Sequence, residues 1–95
     1  MNKIVSLFLL SVISVFAFEE LNMDNFENKI KDKNVIVDFY APWCPPCKVM
    51  ANTLKNFDNE KPKNVEIYKV NIDNELKKKK KYGVSKLPTL VYFKN

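Results

Sequence analysis

The chain has 95 residues, 46% of them hydrophobic and 28% charged, and sixteen basic against eleven acidic side chains give a formal charge of +5. That length holds one domain at most. Every basic residue is Lys and His is absent, which weakens specific nucleic-acid recognition through bidentate Arg and excludes Ser–His, Cys–His and His-ligated metal chemistry within the chain.

In chain order, one positive charge at Lys3 precedes an uncharged apolar stretch from Ile4 to Phe18, followed by Glu19 and Glu20. This is the three-part pattern of a secretory signal, with Val15 and Ala17 as the small residues that suit cleavage after Ala17. The stretch is short for a membrane span of roughly 20 residues, so the expectation is a cleaved signal peptide over 1–17, with a retained N-terminal anchor as the alternative. Either one exports the chain to a periplasmic or other extracytoplasmic space, where disulfides persist. Residues 18–95 then form the domain.

Glu19 to Asn22 reads as a short edge strand. Asp24 is the expected N-cap of a helix through about Lys31, with Phe26 and Ile30 on one face. Val35–Tyr40 is a continuous β-branched and aromatic run, as in a central strand covered on both sides. Helical character resumes near Cys44 and lasts to about Asn59, with Val49, Met50, Leu54 and Phe57 giving the apolar spacing, and Pro62 closes it. Val65–Val70 reads as a further strand. Asp73 is the expected cap of a third helix through Lys81, stopped by Gly83. Pro88 opens the last predicted strand, Thr89–Phe93. Strands interleaved with helices predict an α/β fold with a mixed sheet.

The chemistry concentrates at Trp43-Cys44-Pro45-Pro46-Cys47-Lys48. Two thiols separated by two residues in a first helical turn lie within reach of a disulfide. The leading thiol faces unpaired amide N–H groups and the positive end of the helix dipole, a placement that generally lowers a thiol pKa to about 3.5–7.5. Pro45 and Pro46 fit there because first-turn N–H groups have no intrahelical acceptor. A structural disulfide, or half of a zinc site completed across a dimer, remains open on these residues alone.

Four segments together resemble the thioredoxin superfamily: Val37-Asp38-Phe39-Tyr40-Ala41-Pro42-Trp43-Cys44, the C-x-x-C variant Cys44-Pro45-Pro46-Cys47, Lys69-Val70-Asn71-Ile72-Asp73, and Tyr82-Gly83-Val84-Ser85-Lys86-Leu87-Pro88-Thr89. The resemblance covers about residues 19–95 and implies a thioredoxin-like fold and a protein-disulfide reductase or related thiol–disulfide oxidoreductase. By position, Cys44 would be the attacking thiolate and Cys47 the resolving thiol. Asp38 would be the buried acid that assists proton transfer at Cys47, and Lys69 its partner. Trp43 would shield the disulfide, Pro45 and Pro46 would stiffen the loop, and Leu87 with a cis Pro88 would offer backbone to a client strand. The implied partners are protein thiols and disulfides and a membrane electron-donor protein, met by a monomer. No cofactor is implied beyond the redox-active Cys44–Cys47 pair, nor any metal or nucleic acid. A non-catalytic binding module and a thiolate metal-handling protein are the alternatives.

Departures from the family pattern qualify this. Pro45 stands where ordinary thioredoxins carry Gly, and no His stabilises the Cys44 thiolate as in strongly oxidising relatives, which leans the expectation toward a reductant. Asn52 replaces a helix-kinking proline. The family pattern continues past Asn95 with another strand and a C-terminal helix, so the expectation is a domain lacking both, with Leu90–Phe93 at a bare sheet edge. The run Lys77 to Lys81 reads as a solvated helix end that suits the dipole, or as a docking surface for anionic lipid or acidic partners.

Overall fold

A computed structural model describes residues 18–95. The expected signal or anchor at 1–17 lies outside the described residues. Strand β1 is Glu19–Glu20, helix α1 Phe26–Ile30, β2 Asn34–Tyr40, α2 Pro45–Asp58, β3 Val65–Asn71, α3 Leu76–Lys81 and β4 Thr89–Phe93. The strands form one mixed sheet in the order β1-β3-β2-β4, parallel between β1, β3 and β2 and antiparallel between β2 and β4. This is the expected α/β fold.

The non-alternating pattern of β2, apolar except at Asn34 and Asp38, has the cause anticipated for it: the strand is central, and both of its faces are covered. Val35, Val37 and Phe39 point to one face, where they join Tyr68 and Val70 of β3 and Leu21, Phe26, Ile72 and Val84 in one core cluster. Phe26 of α1 is completely buried there, and its ring meets Phe93 edge-on at 5.9 Å and Tyr82 at 5.4 Å. Burying one such ring contributes about 1.5–3 kcal/mol. Asp38 and Tyr40 alternate to the opposite face, toward α2.

That second face is less well covered. Of α2 only Cys47 and Leu54 are buried, whereas Val49 is 67% and Phe57 38% exposed. The expected apolar stripe through Val49 and Phe57 is therefore corrected to Cys47 and Leu54, seven residues or two turns apart, with Met50 half-buried between them. Leu90 and Tyr92 of β4 are paired in register with Asp38 and Ile36 and are also exposed. As expected, β4 lies at a sheet edge.

Two helix starts differ from expectation. The cap position of α1 is Asn25, not Asp24, and no side chain caps it. Asn22 organises the turn instead, its Oδ1 accepting the N–H groups of Asp24 and Asn25 at 2.9 and 3.0 Å. Helix α3 starts after Glu75 rather than at Asp73. The Glu75 side chain is drawn inward, where Oε1 accepts the Met23 N–H at 2.7 Å. The stop at Gly83 is as anticipated. Its φ of +66° is a left-handed conformation that glycine adopts without steric cost. Val84 N–H then returns to Lys79 O at 2.9 Å and Gly83 N–H to Lys80 O at 3.3 Å, the paired bonds of a Schellman ending.

Candidate active site

The chain leaves the C-terminal end of β2 through Ala41 and Pro42 and enters α2 at Cys44, which holds the N-cap position with extended backbone (φ −97°, ψ 108°). Pro45 and Pro46 occupy the first turn, where their missing N–H groups leave no acceptor unsatisfied. Cys47 N–H points back at Cys44 Sγ at 3.2 Å. The sulfur thus takes the place a Ser or Asp oxygen fills at ordinary helix starts. Cys44 and Cys47 are joined as a disulfide with Cα atoms 5.3 Å apart, within the usual span. Ala41, Cys44 and Cys47 form a small buried cluster with Tyr40 and Leu87 packed on it.

The loop before β4 completes one wall. The Leu87–Pro88 peptide is cis, and Leu87 packs on both this cluster and the main core. Thr89 Oγ1 donates to Lys86 O, closing the turn. At the rim, Trp43 is 67% exposed, and its indole N–H donates to Asp73 Oδ2 at 2.9 Å. Asp73, set aside as a helix cap above, is an indole anchor. No spacing rule links residues thirty positions apart, so nothing in the sequence signals the bond.

Behind Cys47 lies a cavity of about 420 Å³ lined by Asp38, Tyr40, Lys48, Asn52, Lys55 and Lys69 together with Phe18 and Cys47 itself. Cys44 does not line it. Asp38 is 5% exposed, and its Oδ1 is buried without a hydrogen-bond donor. Loss of solvent raises the Asp38 pKa to about 6, against the smaller downward pull of the Lys69 charge. Lys69 pairs with Asp38 in strand register, and its ammonium stands 5.7 Å from the Tyr40 ring centroid. Burial, and then the Glu20 carboxylate accepting from its hydroxyl at 2.5 Å, push the Tyr40 pKa upward.

The fold thus brings Cys44, Cys47, Leu87 and Pro88 to one end of the sheet and places Asp38 and Lys69 behind Cys47. Trp43, Pro45 and Pro46 form the exposed rim. Unsignalled by any motif were the Trp43–Asp73 bond and the cavity residues Phe18, Ala51 and Lys55.

A family model described as Thioredoxin matches residues 17–95. The chain belongs to the thioredoxin family. It is 41% identical over 75 residues to a thioredoxin of Chlamydia pneumoniae, covering 79% of this chain and 72% of that one. With a thioredoxin of Bacillus subtilis the identity is 37% over 71 residues, 75% of this chain and 68% of the relative. The fold matches oxidized mitochondrial thioredoxin 3 of Saccharomyces cerevisiae with a TM-score of 0.75 at 34% identity, over 82% of this chain and 74% of that one. This thioredoxin-family chain is a thiol–disulfide oxidoreductase whose redox pair is Cys44 and Cys47.

Proposed function

We propose that the chain is an exported protein-disulfide reductase in which Cys44 attacks and Cys47 resolves. The observation that carries this division of labour is the cavity that Cys47 shares with Asp38 and Cys44 does not. Cys44 sits at the helix tip, where an amide N–H aimed at its sulfur favours negative charge.

In the reduced protein, the Cys44 thiolate attacks one sulfur of a client disulfide. The S–S electron pair leaves on the other client sulfur, which takes up a proton. Cys47 then gives its proton to the Asp38 carboxylate through the shared cavity and attacks Cys44 Sγ. The Cys44–Cys47 disulfide forms and the second client thiolate departs. Two electrons have passed to the client, whose sulfurs take their protons from water and from Asp38 as that acid gives up the Cys47 proton, and a second dithiol protein restores the pair by the reverse exchange. Outside the cytoplasm that donor would be a membrane protein.

Support for export is the Lys3 charge, the apolar Ile4–Phe18 stretch and the Val15–Ala17 cleavage pattern, which fall almost wholly before the family match at 17–95. Support for the reducing direction is the lack of His between the thiols, since oxidising relatives depend on extra stabilisation of their reduced form. The test joins the mass of the protein recovered from cells with its equilibrium against glutathione. A chain beginning at Phe18 and a potential below about −200 mV are expected. A potential near −120 mV would reverse the direction, and an intact Met1 in the cytosolic fraction would defeat export.

A further inference from the structure

The six residues of α3 are one Leu and five Lys, and they divide into two sets. Lys78 and Lys81 both reach Glu27 Oε1, at 3.2 and 2.9 Å, and Lys78 Nζ stands 4.5 Å from the centre of the Phe26 ring. These two hold α3 against α1. Lys77, Lys79 and Lys80 are exposed, and among the described residues no carboxylate pairs with any of them. They line a shallow depression of about 470 Å³ floored by Leu76 and Val84. Leu76, itself 61% exposed, also lines a second depression of about 220 Å³ that shares Lys79 and Val84 and extends to Trp43 and Leu87.

Trp43 and Leu87 flank the disulfide, so the two depressions together make a path from the sulfurs onto the lysine face. Asp73 is the one carboxylate along it, and that carboxylate is held by the Trp43 indole. The neighbouring acid, Glu75, is turned inward to Met23. The path is therefore cationic with an apolar floor.

We propose that this path docks an acidic stretch of the client chain, adjoining the cysteine under attack, with Lys77, Lys79 and Lys80 as its specificity-determining residues. The proposal rests on the exchange reading above and adds the class of client to it. Carboxylates two or three residues apart along an extended client would meet successive lysines, while an intervening apolar side chain lies on Leu76 and Val84. Each exposed pair contributes a factor of about 1.5–5 in binding, so three pairs give about tenfold, strongest at low salt.

The test uses the full chain and three synthetic peptide disulfides of one length, flanked by Glu and Asp, by Gln and Asn, or by Lys. The uncharged probe is 2-hydroxyethyl disulfide. The expected result is a kcat/KM about tenfold higher for the acidic than for the basic peptide, shrinking as salt is raised. Combined Lys77→Gln, Lys79→Gln and Lys80→Gln substitution should remove the preference, and the corresponding Glu substitutions should reverse it. Neither should change reduction of the uncharged probe. Equal rates on all three peptides with normal probe reduction would overturn the docking proposal while sparing the exchange reading. Failure of the wild-type chain to reduce the probe would overturn the exchange reading, and docking with it. If the peptides are equal and only phosphatidylglycerol vesicles are bound, with binding lost in the Gln variant, the surface serves lipid and the proposal is wrong.

Discussion

The two faces of the sheet are built to opposite standards. Against α1 and α3, Phe26, Phe39, Tyr82 and Phe93 pack ring against ring, every pair that touches lying 5.2–6.5 Å apart. Against α2, a carboxylate is buried without a donor beside a cavity of about 420 Å³. An acid buried without a donor costs stability, and both that acid and the cavity adjoin Cys47. The sealed face supplies folding energy, and the face toward α2 is where part of it is offset; under the proposed exchange that cost keeps a proton acceptor beside Cys47.

If that division holds, Cys44→Ser removes exchange activity, by at least about a thousandfold, and barely moves the urea midpoint. The disulfide closes a loop only three residues in sequence separation, which constrains the unfolded chain little. Cys47→Ser is equally dead in turnover but accumulates client mixed disulfides through Cys44, visible on non-reducing gels. An active Cys44→Ser protein would move the chemistry away from this face altogether. Phe26→Ala should do the converse. It empties a fully buried site and should cost about 3–5 kcal/mol, unfolding a marginal domain while touching no residue of the redox site. Equilibrium unfolding followed by Trp43 fluorescence reads the loss.

Asp38→Asn separates stability from chemistry in one residue. Burial keeps Asp38 protonated in the folded chain up to about pH 6, while the unfolded chain loses that proton near pH 4. Between those values the folded state binds more protons, so its stability falls as pH rises through the window and stays low above it. The deficit at pH 7 is about 2–3 kcal/mol. Asp38→Asn should recover much of it at pH 7 and little at pH 3.5, where the Asp38 carboxyl is mostly protonated in both folded and unfolded chains. The same variant should slow resolution of the mixed disulfide at least about tenfold above pH 6, because an amide accepts no proton. Equal stability gains at both pH values would mean that burial of the charge is not what the fold tolerates there.

The sealed face and the redox turn were the legible parts of the sequence. The apolar run of β2, broken at Asp38, the C-P-P-C turn and the glycine stop each follow from local rules, and the structure places them where those rules put them. What stayed hidden depends on which of several suitable partners, near or far along the chain, each residue meets. Asp73 and Asp24 both suit a helix cap, yet Asp73 meets an indole and Asn22 takes over the turn at Asp24. Met50 and Phe57 keep helical spacing with Leu54, but that spacing marks one side of a helix without showing how wide a surface it meets. The roles proposed for Asp38 and for Lys69 as its partner are readable only through the family resemblance. Their placement on one cavity with Cys47 comes from the parallel register of β2 with β3.

The smallest effect tests whether α3 itself repeats the contrast between sealed and open faces. Lys78 is 8% exposed despite its charge, because its stem packs with the aromatic cluster while its ammonium meets the Phe26 face and Glu27. Lys78→Met keeps the volume and the stem but loses a cation–π contact and one half-exposed ion pair, a cost of about 1 kcal/mol. Lys77→Met, one position away on the exposed side, should change stability by less than about 0.5 kcal/mol. Lys81→Met should fall between them, since Glu27 retains Lys78 when Lys81 is gone. Urea midpoints at matched pH and low salt rank the three. If Lys77→Met costs as much as Lys78→Met, the helix has no inner and outer lysines, and the free cations assigned to client docking are part of the packing instead.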